Sequence, residues 1–92
     1  MLGTEELTET IIDTSEKEEI QSQLVLFNDE VNTFDYIILC LIKVCKHDSI
    51  QAENCTMIAH NRGKCRIKKG SFDELEPVHN AMATWGVTTE IQ

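Results

Sequence analysis

The sequence predicts an α+β fold: a compact two-layer sandwich in which three helices cover a three-stranded antiparallel sheet, in the order β-α-α-β-α-β. Three short segments alternate apolar and polar residues with the period of a strand. Three longer segments repeat apolar residues at helical spacing, each behind a helix-capping residue. Strands with all helices on one face give two layers around one core, and 92 residues suffice for one such domain.

The predicted strands cover residues 21–27, 64–69 and 87–91. In the first strand, alternation places two leucines on one face and a valine and a phenylalanine on the other. The second strand alternates apolar with charged residues, which is typical of a half-buried strand. The residues that set these patterns are Leu24, Leu26, Val25, Phe27, Cys65, Ile67, Val87, Thr89 and Ile91.

The first predicted helix begins behind Asn32, which with Asp35 resembles a capping box. Val31 and Tyr36 are placed to form a hydrophobic staple across this start. The apolar positions that follow recur at helical spacing. They are Phe34, Ile37, Ile38, Leu41 and Cys45.

Two further helices are predicted by the same signals. Asp48 with Gln51 opens a helix through Ala52, Cys55, Ile58 and Ala59, and Gly63 is placed to end it.

Ser71 with Glu74 opens the third predicted helix, which Gly86 is placed to end. The apolar face of this helix is Leu75, Val78, Met82 and Trp85. Pro77 conflicts with a start at Ser71, because proline is tolerated only in the first turn of a helix. The alternatives are a start at Asp73 or an irregular first turn.

Acidic residues are concentrated at the N-terminus. Residues 1–19 hold seven acids and one lysine, a net charge of −6, which leaves −2 of the total −8 for the other 73 residues. Such a segment is typically solvated, so we predict a flexible acidic extension over residues 1–20 and a folded core over 21–92. The acidic balance argues against nucleic acid as a partner.

No membrane, secretory or metal signal is visible. The longest apolar run, residues 34–45, is too short to span a bilayer. The N-terminal residues show no basic region followed by an apolar one, so we do not expect a secretory signal. Cys40, Cys45, Cys55 and Cys65 lack the spacing of a zinc site. Ordinary packing is the favoured interpretation of these cysteines, with a disulfide or a metal site as the alternative. We expect a cytoplasmic monomer without a cofactor.

Two segments carry the functional signal. Residues 24–30 form a strand that ends in Asn28, Asp29 and Glu30, and residues 58–64 form a helix end that carries His60. If the two ends meet, they form an acidic, hydrogen-bonding pocket beside apolar residues. Such a pocket suits a cationic amine joined to a hydrophobic side chain, as at the N-terminus of a peptide.

These segments resemble the ClpS family, the adaptors of the bacterial Clp protease. The resemblance covers residues 21–92 and depends on Phe27-Asn28-Asp29-Glu30 together with His60-Asn61-Arg62-Gly63-Lys64. It implies a non-enzymatic adaptor that binds proteins with Leu, Phe, Tyr or Trp as first residue, the N-end rule signal. The implied partner that receives these substrates is a Clp AAA+ unfoldase, either ClpA-like or ClpC-like.

The resemblance also assigns roles to individual positions. It implies that Asn28, Asp29 and His60 contact the α-amino group, with Glu30 in the next acidic place. It implies that the pocket for the first side chain is lined by Leu26, Phe34, Ile37, Thr56 and Ala59, and that Glu74 and His79 face the unfoldase. Four positions depart from the usual family residues: Phe34 replaces a methionine, Thr56 a larger aliphatic residue, Thr33 a proline and His79 a lysine.

The residues alone leave other interpretations open. Asn28 and Asp29 are common turn residues, and His60 near a helix C-terminus offsets the helix dipole. His47 and His79 are expected to be solvated.

Two other classes of protein compete with the adaptor. One is an interaction module of the same fold without amino-terminal recognition, as in the C-terminal domain of the ribosomal stalk protein. The other is a cysteine–histidine or metal hydrolase. The acidic extension is either a spacer or a delivery element.

Overall fold

The computed structural model describes residues 21–92, and the predicted flexible extension lies outside the described residues. The elements are β1 (Ser22–Phe27), α1 (Phe34–Cys45), α2 (Ser49–Arg62), β2 (Lys64–Gly70), α3 (Phe72–Thr84) and β3 (Thr89–Ile91). The predicted α+β class and the order β-α-α-β-α-β are confirmed.

The sheet has the strand order β2-β1-β3, and both pairs are antiparallel. Leu24 pairs with Lys68 and Val25 with Arg66, so a bulge on β2 shifts the register and leaves Ile67 between them. The ends of β1 set the geometry that matters for function. Its last residue, Phe27, pairs with Lys64, directly after the end of α2.

One core holds the two layers together. Leu24 and Leu26 of β1 are almost fully buried and belong to the same cluster as the inward faces of all three helices, which confirms the predicted alternation. Val25 is also buried but lies on the opposite face and outside this cluster. The core residues contributed by the helices are Ile37, Cys40, Leu41, Cys45, Ala52, Cys55, Ala59, Leu75 and Met82.

The start of α1 differs from the prediction. Its N-cap is Thr33, whose hydroxyl accepts a hydrogen bond from the Tyr36 N–H, rather than Asn32. The predicted staple is wrong, because Val31 is 91% exposed. Asn32 has another partner: its amide donates to Asp29 and to the Gly86 carbonyl. The cap shifts by one residue since Thr33 is itself a good capping residue.

The other helix boundaries follow the prediction. Asp48 caps α2 through the Gln51 N–H, and Gly63 ends it at φ 93°, a left-handed conformation that favours glycine. Ser71 and Glu74 form a reciprocal capping box, so neither a start at Asp73 nor an irregular first turn occurs, and α3 continues through Pro77. Pro77 cannot donate to the Asp73 carbonyl in the first turn, but Asp73 is exposed, so water can bond that carbonyl instead.

Two histidines are not solvated, contrary to the expectation. His47 is buried beside the bulge of β2, and its Nε2 lies 2.9 Å from the Ile67 carbonyl oxygen. His79 is partly buried, with its Nδ1 2.8 Å from the Thr89 hydroxyl. His47 therefore ties the loop between α1 and α2 to β2, and His79 ties α3 to β3. Sequence patterns did not show this, because the partners lie 20 and 10 residues away.

All four cysteines are free thiols. Cys40 and Cys45 lie in the core beside the Met82 sulfur, at 3.3 and 3.9 Å. Burial raises the pKa of Cys40 to about 12 and that of Cys45 to about 11, and burial also raises the pKa of Cys55. These thiols therefore stay protonated at neutral pH, as expected of packing residues.

Candidate functional site

The predicted site segments meet in a small recess beside the N-terminal end of α1. The recess has a volume of about 260 Å³ with its open mouth included. Six of the predicted site residues line it, together with Phe27 and Asn32, which were not predicted. The predicted members are Asn28, Asp29, Phe34, Ile37, Thr56 and His60.

A backbone hydrogen bond joins the two walls of the recess. The N–H of Asn28, directly after β1, donates to the Gly63 carbonyl at the end of α2, at 2.8 Å. This bond follows from the pairing of Phe27 with Lys64, because the last turn of α2 then lies beside the loop after β1. His60 in that last turn is therefore held opposite Asn28 and Asp29.

The Asp29 carboxylate organises the loop between β1 and α1. Its Oδ1 accepts hydrogen bonds from the N–H groups of Val31 and Asn32, at 2.6 and 3.2 Å. Its Oδ2 accepts from the Asn32 amide, which also donates to the Gly86 carbonyl at 2.9 Å. The turn role left open for Asp29 is thus observed, and the loop is fixed to the end of α3 as well.

These hydrogen bonds also set the ionisation of Asp29. Partial desolvation acts to raise its pKa, but the bonds from Val31 and Asn32 together outweigh it, so the pKa lies below the usual value of 3.8. The carboxylate is therefore charged throughout the neutral range. Oδ1 already accepts two hydrogen bonds and Oδ2 accepts one, so Oδ2 keeps a lone pair that can accept a bond from a cationic group.

The apolar side of the recess is formed by α1 and α2. Ile37 and Thr56 are buried, and the Thr56 hydroxyl donates to the Ala52 carbonyl, at 2.8 Å, within its own helix. Phe34 is 39% exposed and stands with its ring edge against His60, at a centroid distance of 4.9 Å and an interplanar angle of 72°. This aromatic pair narrows the recess: without its open mouth the recess has a volume of about 20 Å³, far below the roughly 300 Å³ at which ligand pockets usually begin.

Three predicted site residues do not line the recess: Leu26 and Ala59, predicted for the pocket, and Glu30, predicted for the α-amino group. Leu26 and Ala59 are 2% and 3% exposed and belong to the core beneath the recess rather than to its lining. Glu30 is exposed and does not line the recess either. Leu26 and Ala59 contribute by supporting the strand end and the helix turn that carry the polar residues.

The two predicted unfoldase contacts both lie on α3. Glu74 is exposed and its Oε1 accepts a hydrogen bond from the Ser71 N–H at 2.9 Å. Its pKa is lowered, first by bonding with Ser71 and to a smaller extent by the charge of Lys68. His79 is partly buried against β3 through Thr89. Glu74 is therefore a surface charge held in one orientation by its own helix cap.

Within residues 21–92, no group of three acidic, histidine or cysteine side chains is placed to hold a metal ion. No helix among these residues is long and apolar enough to cross a membrane.

Comparisons with known proteins agree with this architecture. Residues 17–85 match the family described as "ATP-dependent Clp protease adaptor protein ClpS". A similar solved structure is that of Agrobacterium tumefaciens ClpS2 bound to L-phenylalaninamide, with a TM-score of 0.63 and 18% identity over 78% of this chain and 96% of that chain. At 18% identity, the likeness to the Agrobacterium structure shows a shared fold alone. No curated protein matches the chain. Because the family match extends over three quarters of the chain, this protein belongs to the ClpS family of Clp protease adaptors.

Proposed function

We propose that this adaptor binds proteins through a free N-terminal residue of the large hydrophobic class, Leu, Phe, Tyr or Trp, and delivers them to a Clp AAA+ unfoldase. The observation that carries the proposal is the recess itself. An ionised Asp29, the Asn28 amide and a histidine surround one end, and Phe34 and Ile37 form the other. The Agrobacterium ClpS2 structure contains L-phenylalaninamide, a ligand with this combination of a free amine and an apolar side chain.

The energetics of such a site are sufficient. A charge-assisted hydrogen bond from an α-ammonium group to Asp29 contributes about 1.5–3 kcal/mol. Burial of a large apolar side chain contributes about 1.5–3 kcal/mol more. With the bonds to Asn28 and His60 added and the costs of association subtracted, micromolar binding, near −8 kcal/mol, is expected.

Fluorescence anisotropy on labelled peptides that differ only in residue one tests this proposal. The set comprises Phe, Leu, Tyr, Trp, Ala and N-acetylated Phe. We expect micromolar binding of the large apolar residues, weak binding of Ala, and loss of binding on acetylation, because acetylation removes the charge that Asp29 recognises. Equal binding of the free and acetylated Phe peptides would contradict the proposal.

A second candidate is an interaction module of the same fold without amino-terminal recognition. Two observations favour it: Asp29 already accepts three hydrogen bonds from its own loop, and the Phe34–His60 pair narrows the recess. Failure of every peptide in the set to bind, with the protein folded, would select this candidate.

A cysteine hydrolase is the weakest alternative. The buried thiols of Cys40 and Cys45 have raised pKa values, whereas a nucleophilic cysteine has a lowered pKa.

Delivery requires a second surface, and we assign it to α3. Glu74 is exposed and fixed by its capping box, and His79 lies five residues further along the same helix. Neither residue lines the recess, so a monomeric adaptor in the cytoplasm can hold a substrate and a ClpA- or ClpC-like unfoldase together.

A further inference from the structure

A second and larger depression lies between α2 and β2. With the open mouth left out of both, this groove has a volume of about 450 Å³ and the recess at Asp29 about 20 Å³, and the two share no lining residue. Apolar side chains of α2 form one wall, with Ile50 70% and Ile58 41% exposed, while the bulge of β2 forms the other. The lining residues are His47, Asp48, Ile50, Gln51, Asn54, Cys55, Ile58, Arg66 and Ile67.

Positive charge is concentrated at the end of α2 and along β2. Five of the seven lysines and arginines within residues 21–92 lie in the eight positions from 62 to 69. No carboxylate of residues 21–92 lies within 4.0 Å of them, and Arg66, in the groove wall, donates to the neutral Gln23 side chain at 3.1 Å. The five residues are Arg62, Lys64, Arg66, Lys68 and Lys69.

A second polypeptide segment at this edge is not expected to extend the sheet. β2 is an edge strand, which normally leaves backbone groups available for pairing. Here two carbonyl oxygens of β2 already have partners. The Ile67 oxygen lies 2.9 Å from the His47 Nε2, and the Arg66 oxygen accepts a hydrogen bond from the Cys55 Sγ at 3.6 Å. The groove therefore offers apolar contact rather than a free strand edge, and its lining holds one arginine, Arg66, and one carboxylate, Asp48.

The N-terminal segment of the chain has the complementary chemistry. Residues 1–20 carry a net charge of −6 and include Leu7, Ile11 and Ile12. The segment leads into β1, whose first residue, Ser22, pairs with Gly70 at the end of β2. Nine residues separate Ile11 from Gln21, and an extended segment of that length reaches about 30 Å, enough to return along β2.

We propose that residues 1–20 dock on this groove, with Ile11 and Ile12 against Ile50 and Ile58 and with their acids beside the lysines and arginines of β2. Covalent attachment supplies a high effective concentration, so weak intrinsic affinity suffices for substantial occupancy. Contacts of exposed charges are screened by salt. Docking is therefore an equilibrium that favours the docked form at low ionic strength.

The test uses the full chain labelled with ¹⁵N, and compares the native protein with the double variant Ile11→Ser, Ile12→Ser. We expect amide resonances of Asn54, Ile58 and Arg66 to shift in the variant, while those of Asn28 and Asp29 do not. Addition of 0.5 M salt to the native protein should shift the same groove resonances in the same direction. Because both substitutions lie in the extension, folding of residues 21–92 is not at risk.

A reciprocal pair of variants locates the contact on the groove. Ile50→Ser should shift the resonances of residues 5–15, whereas Met57→Ser, at another exposed apolar site of α2 that does not line the groove, should not. Absence of groove shifts in the Ile11/Ile12 variant overturns the proposal. Shifts that appear only as protein concentration rises would assign the groove to a second copy of the chain and overturn it too. None of these readouts depends on peptide binding at Asp29.

Discussion

Asp29 has two tasks at the scale of a single residue, and they respond differently to substitution. Removal of the side chain by Asp29→Ala deletes three hydrogen bonds of the loop as well as the charge, so loss of binding would be ambiguous. Asp29→Asn keeps an acceptor oxygen for the Val31 and Asn32 N–H groups and removes the charge, at the loss of one loop hydrogen bond, the one that Oδ2 accepts from the Asn32 amide. The charge is the part that a peptide N-terminus would use.

We therefore expect Asp29→Asn to weaken binding of a Phe-initiated peptide by about 10- to 100-fold, the equivalent of one charge-assisted hydrogen bond. Asp35→Asn is the matched control, because Asp35 is an exposed acid in the first turn of α1 that does not line the recess. Anisotropy titrations of both variants provide the measurement. Equal losses in the two would mean that long-range charge, rather than contact with Asp29, drives binding.

The ionisation of Asp29 also predicts a pH profile. Its pKa is lowered by its hydrogen bonds despite partial desolvation, so it contributes stability that is complete above the usual value of 3.8 and is lost as pH falls through the lower folded value. The ionisation of Asp29 should accordingly cause no change in peptide affinity from about pH 5 to 7. Affinity should fall above about pH 8, where the peptide α-amino group deprotonates. Affinity that rises above pH 8 would exclude ammonium recognition.

Phe34 determines the width of the recess, because its ring edge lies against His60. Phe34→Met replaces a rigid ring by a flexible chain, so we expect stronger binding of Trp-initiated peptides relative to Leu-initiated ones. Phe72→Met, an exposed phenylalanine at the start of α3, is the control. If the Trp-to-Leu ratio of dissociation constants is unchanged, Phe34 does not act as the gate.

At the scale of elements, most of the fold followed from local signals. The strands and the caps at Asp48, Ser71 and Gly63 could be predicted because each depends on residues a few positions apart. The roles of His47, His79 and Asn32 could not, because their partners lie 20, 10 and 54 residues away and share no periodicity with them. For the same reason, the contact between Phe34 and His60 appeared only in the structure.

Gly63 links an element boundary to the site, because it ends α2 at φ 93° and its carbonyl accepts the Asn28 N–H. Gly63→Ala introduces no clash but forces a left-handed conformation on an alanine, at a cost of about 1–2 kcal/mol. Chemical denaturation should show that loss. Gly63→Asn, which tolerates this region better, should lose less. Identical losses would mean that backbone conformation is not the cause.

At the scale of the whole molecule, the recess and the proposed unfoldase surface are separate, so delivery and binding can be uncoupled by substitution. Glu74 is the position to substitute for this purpose, with a residue that preserves its hydrogen bond in the capping box of α3. Glutamine also serves at the third position of a capping box, so Glu74→Gln retains the bond to the Ser71 N–H and removes the charge. Glu74→Ala would remove both and would confuse instability of α3 with loss of docking.

We expect Glu74→Gln to leave the affinity for a Phe-initiated peptide and the unfolding midpoint unchanged, while slowing degradation of a Phe-initiated substrate by a reconstituted ClpA- or ClpC-like unfoldase and its peptidase. Glu76→Gln, a neighbouring exposed acid of α3, is the matched control for net charge. If both variants slow degradation equally, the overall acidity of α3 attracts the unfoldase. If neither variant does, the contact surface lies elsewhere, and the assignment of Glu74 is wrong while the peptide site at Asp29 is untouched.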